Sequence, residues 1–139
     1  MYEVEKRLTL PIGHRLSKHA GRCVNFHGHN LSILLGIKSK NLNYNDMVID
    51  FSDLKDEAMK ILDEWDHCLL INKEDPILDT DFINGYRVIP FDFDPTAERL
   101  CELLYTVLKP RLKNRFGQYI ELEYVTIYEN ENSKATYYE

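Results

Sequence analysis

Positive charge is in deficit. Seventeen Lys and Arg stand against 23 Asp and Glu, a formal net charge of −6, and no basic stripe runs along the chain. That argues against nucleic acid as a partner, because phosphate backbones are held by clustered cations. A small anionic substrate stays open, since a local pocket can be positive on a negative protein. Cysteine is sparse and odd in number: Cys23, Cys68 and Cys101. Three thiols make a poor disulfide framework, suit a reducing compartment and leave at least one thiol free. No apolar run approaches the ~20 residues that span a bilayer. The opening MYEVEKRLTLPIG lacks the apolar centre of a secretory signal. The expectation is a cytoplasmic protein with no membrane contact. Repeats, low-complexity tracts and linkers are also missing.

What is present suits one domain over residues 1–139. At 44% apolar residues with a full set of charges, the chain reads as globular, not disordered. Residues 2–10 place Val4, Leu8 and Leu10 in a partial period-two pattern, which predicts a strand. In HGHNLSILLGIK the alternation of Leu31, Ile33, Leu35 and Ile37 predicts a second, pairing antiparallel with the first. From 51 to 65 the period changes to three and four through Phe51, Leu54, Ala58, Ile61, Leu62 and Trp65. That is an amphipathic helix, capped by Asp50 or Ser52. Residues 72–94 read mostly as loop, with one short strand at 86–91. Asp94-Pro95 predicts the start of a second helix with Pro at its first position. Its stripe is Ala97, Leu100, Cys101, Leu104, Val107 and Leu108, and Pro110 ends or kinks it. Strands follow at about 119–128 and 134–138. The order is ββααββ: an α+β fold with a four-stranded antiparallel sheet and two helices on one face. Open sheet edges make assembly through edges plausible.

Four features carry chemistry. In His27-Gly28-His29 the two imidazoles are two apart on a strand and share a face. They have the parity of Leu31 and Ile33, at the end of a buried face. His14, in the loop after the first strand, would be brought alongside; His19 is a rival farther from the strand end. Three imidazoles with an open fourth position describe a catalytic zinc site, though imidazole suits iron and nickel as well. An isolated HxH is more often incidental. Cys23 lies four residues before His27. Beside a divalent cation it would be pushed toward thiolate and could act as base or nucleophile; without one it reads as an inert thiol. Asp66-His67 follows the first helix. A carboxylate can orient an imidazole for proton transfer, but adjacent side chains need a turn to meet, and the alternative is a solvated helix end. Glu129 closes the face shared by Val125 and Ile127, as a ring anchor or as a solvated strand end.

These pieces occur together, in order, in one family. GHRL around His14, CVNFHGH from Cys23 to His29, MVIDFSDLK from Met47, WDHCLLIN from Trp65, PTAE from Pro95 and IYENENSKATYY from Ile127 span nearly the whole chain. The sequence resembles the 6-pyruvoyltetrahydropterin and 6-carboxytetrahydropterin synthase family. The resemblance implies the tunnelling fold and trimers, commonly stacked into hexamers, with active sites between subunits. It implies a zinc cofactor on His14, His27 and His29. Cys23 is implied as general base, and Asp66 and His67 as a proton relay from a neighbouring subunit. Glu129 is implied as pterin anchor and Thr96 as a further substrate contact. The CxxxHGH spacing at Cys23 is similar to the carboxy branch, which acts in queuosine and deazaguanine biosynthesis. That branch takes 7,8-dihydroneopterin triphosphate to 6-carboxy-5,6,7,8-tetrahydropterin, acetaldehyde and triphosphate. The pyruvoyl branch and a non-catalytic metal or pterin binding module are the alternatives. Leu10, Ile12, Asp46, Asp94 and Arg99 depart from the family's common residues, and none of them is a proposed ligand or base.

Overall fold

The computed structural model describes residues 1–139. Strands β1 (Tyr2–His14) and β2 (His27–Ser39) are followed by helix α1 (Phe51–Leu62). Two short strands come next, β3 (Leu69–Asn72) and β4 (Val88–Phe91). Helix α2 (Ala97–Phe116) and strands β5 (Glu121–Asn130) and β6 (Ser133–Tyr137) complete the chain. One sheet takes all six strands in the order β4-β3-β1-β2-β5-β6. The β1–β2, β2–β5 and β5–β6 pairs are antiparallel. The β1–β3 and β3–β4 pairs are parallel.

This corrects the four-stranded antiparallel sheet expected from sequence. The α+β class, the two helices, the two terminal hairpins and the short strand at 86–91, present as β4, are as expected; β3 and the parallel pairings it makes with β1 and β4 are the addition. Leu69–Asn72 is a four-residue run with no alternation to read, as buried parallel strands tend to be. It reaches β1 only at Gly13 and His14. A side chain on Gly13 would sit 2.8 Å from Leu69 Cδ2, so glycine permits that junction.

Both helices cover the face that alternation buries. Leu8, Leu10 and Ile12 of β1, and Leu31, Ile33, Leu35 and Ile37 of β2, pack with Leu54, Ala58 and Leu62 of α1. Leu100, Cys101, Leu104, Leu108 and Leu112 of α2 complete the cluster. On β5 the register slips opposite Gly36 and Ile37, so Leu122 and Val125 both face inward despite odd spacing.

Local chemistry sets the helix ends. Asp50 caps α1 by accepting the Ser52 N–H at 2.7 Å. The helix stops at Leu62, and Trp65 is buried from the turn beyond it. Helix α2 starts at Ala97, two residues later than Asp94-Pro95 suggests. Thr96 is its cap, accepting the Arg99 N–H at 3.3 Å, while the Asp94 carboxylate is engaged elsewhere. Pro110 does not end α2, which continues to Phe116. A mid-helix proline costs roughly 3 kcal/mol. Burial of Leu112 two residues on, with Phe116 half-buried, offsets that by a comparable amount, at about 1.5–3 kcal/mol for a fully buried leucine. Tyr105 occupies the buried stripe where Val107 is only half-buried. No helix is long and apolar enough to cross a membrane.

Candidate metal centre

His14 is the last residue of β1, not a loop residue, and it continues the inward parity of Leu8, Leu10 and Ile12. It pairs directly opposite His27, while Ile12 pairs opposite His29. Both β2 histidines therefore flank His14 on the face that turns toward the core. The His14 and His27 ring centroids are 4.4 Å apart, His14 and His29 are 5.0 Å apart, and His27 and His29 are 5.1 Å apart. One ligand atom from each ring lies within 4.8 Å of the others. His19 is exposed and accepts the Gly21 N–H at 2.8 Å, outside this group.

Backbone carbonyls aim two of the rings. His14 Nδ1–H donates to the Pro95 carbonyl at 2.9 Å. His27 Nδ1–H donates to the Asn25 carbonyl at 2.8 Å. Each bond protonates Nδ1 and leaves Nε2 with its lone pair. Gly28, between the ligand candidates, has room for a Cβ at an ordinary 3.4 Å from the Ile12 carbonyl, so no close approach within the chain demands glycine there.

Cys23 sits in a single 3-10 turn, Arg22–Val24, half-buried and free. Its carbonyl accepts the Leu16 N–H at 2.9 Å. Asp66 and His67 do meet each other: His67 Nδ1–H donates to Asp66 Oδ1 at 2.6 Å. The turn that this needs is supplied by His67 itself, at φ 57 in the left-handed region. The His67 N–H donates to the Pro11 carbonyl at 2.9 Å, which ties the pair to β1. Within one chain this pair does not join the triad. The His67 side chain is 79% exposed, whereas His14 is 1% exposed.

Glu129 lies on the triad's side of the sheet, its Oε2 3.6 Å from His29 Nε2. With Thr96, Leu16, Ala97 and Glu98 it lines a cleft of about 280 Å³. A roomier hollow lined by Arg7, Asn30, Ser32 and Tyr128 holds none of the candidate residues.

The sequence model of the family described as 6-pyruvoyl tetrahydropterin synthase matches residues 3–139. This chain belongs to that family. The 6-carboxy-5,6,7,8-tetrahydropterin synthase of Aquifex aeolicus is 30% identical, covering 99% of this chain and 98% of the relative. The enzyme of the same name from Rickettsia felis is also 30% identical, over 95% of this chain and 96% of its own. An uncharacterized protein from Wolinella succinogenes shares the fold at a TM-score of 0.83 and 22% identity, covering 99% and 97% of the two chains. The 6-pyruvoyl tetrahydropterin synthase of Caenorhabditis elegans does so at 0.71 and 23%, covering 99% and 95%. The chain is thus a pterin synthase family enzyme, and its 30% relatives carry the carboxy name.

The donor set of this synthase fits a metal ion. His14 Nε2 and His29 Nε2 are buried with no hydrogen-bond partner. A buried polar atom left unpaired costs about 1–3 kcal/mol, and two converging on one spot call for a shared partner. Burial holds His14 below the ordinary imidazole range. His27 and His29 push the same way, against the Pro95 carbonyl and Glu129. The neutral ring that results is the form that ligates. The carbonyls of Pro95 and Asn25 were not foreseen from sequence, because a backbone oxygen has no residue signature. Cys68 and Cys101 are buried, and burial pushes the Cys101 thiol up to about 12, so neither rivals Cys23.

Proposed function

We propose that this synthase is a zinc-dependent 6-carboxytetrahydropterin synthase. It would convert 7,8-dihydroneopterin triphosphate and one water to 6-carboxy-5,6,7,8-tetrahydropterin, acetaldehyde and triphosphate, a product on the way to 7-deazaguanines. The observation that carries the metal part is the pair of buried, unpartnered Nε2 atoms of His14 and His29, with His27 beside them. The CxxxHGH spacing and the 30% relatives support the carboxy branch.

His14, His27 and His29 would hold the ion. Zinc so held supplies Lewis acidity, making protons on a bound side chain more acidic. Glu129 accepts hydrogen bonds from the amino-pyrimidine ring, and Thr96 lines the same cleft, so that the pterin side chain is presented to the triad. Cys23, as thiolate, takes a proton from the substrate side chain. Asp66 orients the His67 ring through the 2.6 Å bond, and that ring moves a second proton.

The exposed Asp66–His67 pair serves a neighbouring subunit in a homotrimer or hexamer. Open edges support such assembly. Strand β1 has β3 beside it only at Gly13 and His14, and β6 has no outer neighbour. The opposite edge, β4, carries Pro90, which discourages pairing there.

Product analysis on purified protein tests the reaction. Acetaldehyde and 6-carboxytetrahydropterin in equal amounts are expected. Formation of 6-pyruvoyltetrahydropterin without acetaldehyde would refute the carboxy assignment.

A further inference from the structure

The segment between β1 and β2 carries Cys23; Phe26 stacks on Phe82 near its far end, and its side-chain and backbone donors to carboxylates elsewhere in the chain all come from Arg15, Ser17 and Lys18. Leu16 donates its N–H to the Cys23 carbonyl at 2.9 Å and closes the loop on itself. On one side of Leu16, Arg15 Nε donates to Asp75 Oδ2 at 2.8 Å, and the Asp75 side chain is 0% exposed. On the other side, the Ser17 hydroxyl donates to Asp94 Oδ1 at 2.7 Å. The Lys18 N–H donates to Asp94 Oδ2 at 2.9 Å. Leu16 is thus fixed from both flanks by carboxylates rooted outside the loop.

Each carboxylate is itself anchored. Asp75 Oδ1 accepts the Ile77 N–H at 3.0 Å in the turn after β3. Asp94 Oδ1 also accepts the Asn72 side-chain amide at 3.1 Å, at the end of β3. Pro95, the residue after Asp94, supplies the carbonyl that orients His14.

We propose that Asp75 and Asp94 are positioning residues for Cys23. Together they brace the thiol's loop against the same segment that aims His14. Bonds to a carboxylate are charge-assisted and stronger than those between neutral groups, so the brace holds a loop that would otherwise move. An amide at position 94 would not reproduce it. Asp94 takes donors on both oxygens, and an NH₂ group would turn a donor toward one of them. A proton-transfer group must sit within hydrogen-bond reach of its target, and loops achieve this only when supported. The consequence for turnover rests on Cys23 being the base; the brace does not.

The test uses the full-length, zinc-supplied protein and its Asp94→Ala, Asp94→Asn, Asp75→Asn and Ser17→Ala variants. Iodoacetamide modification of each cysteine is followed by peptide mass spectrometry without substrate, alongside kcat and KM. Asp94→Ala should raise the Cys23 rate by about tenfold, the scale of a lost charged hydrogen bond. Asp94→Asn and Asp75→Asn should raise it less, and Ser17→Ala least. Turnover should fall through kcat with KM unchanged. Unmodified Cys68 and Cys101 show that each variant is folded, and Ser17→Ala carries the test if the carboxylate variants are not. A Cys23 rate unchanged from the parent's in every folded variant overturns the brace. Full turnover in Cys23→Ala would instead sink the base assignment and leave the modification rates standing.

Discussion

The Pro95 carbonyl oxygen lies 2.9 Å from His14 Nδ1, across 81 residues of sequence. That bond joins the start of α2 to the end of β1 and leaves His14 Nε2 free for an ion. An outer partner of this kind typically changes metal affinity by about 10–100-fold. Replacing the ring itself, His14→Ala, should weaken zinc by more than that. Competition with a chromophoric chelator reads the effect.

Acidification should act through the same ring. His14 is held below its ordinary value of 6.5, chiefly by burial. Between the lowered native value and 6.5 the unfolded chain binds a proton that the native chain refuses. Stability of the metal-free protein therefore falls as pH drops below about 6.5, because the unfolded state holds more protons there. Thermal unfolding of chelator-treated protein from pH 7.5 down to 5 checks this. A His14→Asn variant should show a shallower decline.

The strand parities explain how far the sequence could be read. Leu31, Ile33, Leu35 and Ile37 alternate without interruption, so β2 and the shared face of His27 and His29 were legible. The end of β1 was not, because Pro11 and Gly13 look like breakers. In the fold the Pro11 carbonyl faces the β3 side and accepts from His67, so its missing N–H is on that side too. The β1–β2 ladder loses nothing, and the strand runs on to His14. Strand β3 was hidden by its brevity. The length of α2 was hidden because a proline penalty is local while the packing of Leu112 is tertiary. The meeting of His14 with His27 and His29 was foreseen, whereas the carbonyls that aim two of the rings come from Asn25 and Pro95, whose side chains play no part.

The three thiols should separate cleanly. Burial keeps Cys68 and Cys101 closed, and the Cys101 thiol is raised to about 12. At pH 8, alkylation of the native protein should modify Cys23 alone. Cys23→Ala should keep its zinc and lose turnover by about 10²–10⁴-fold, the range for a positioned acid–base group. Mass spectrometry and steady-state kinetics supply the two readings.

Sharing of the site between subunits predicts complementation. Cys23→Ala and His67→Ala proteins should each be inactive as pure oligomers. Unfolded together and refolded, they should regain part of the parent turnover, since some sites then combine an intact Cys23 with an intact His67. Absence of any recovery in demonstrably mixed oligomers would place both groups in one subunit's site.

Zinc-edge X-ray absorption with metal analysis of the zinc-supplied protein tests the centre most directly. One zinc per chain with three imidazole nitrogens at about 2.0–2.1 Å is predicted, with the signal lost in His29→Ala. A folded parent protein that takes up no zinc from excess, or binds it without histidine nitrogens, would contradict the assignment of His14, His27 and His29.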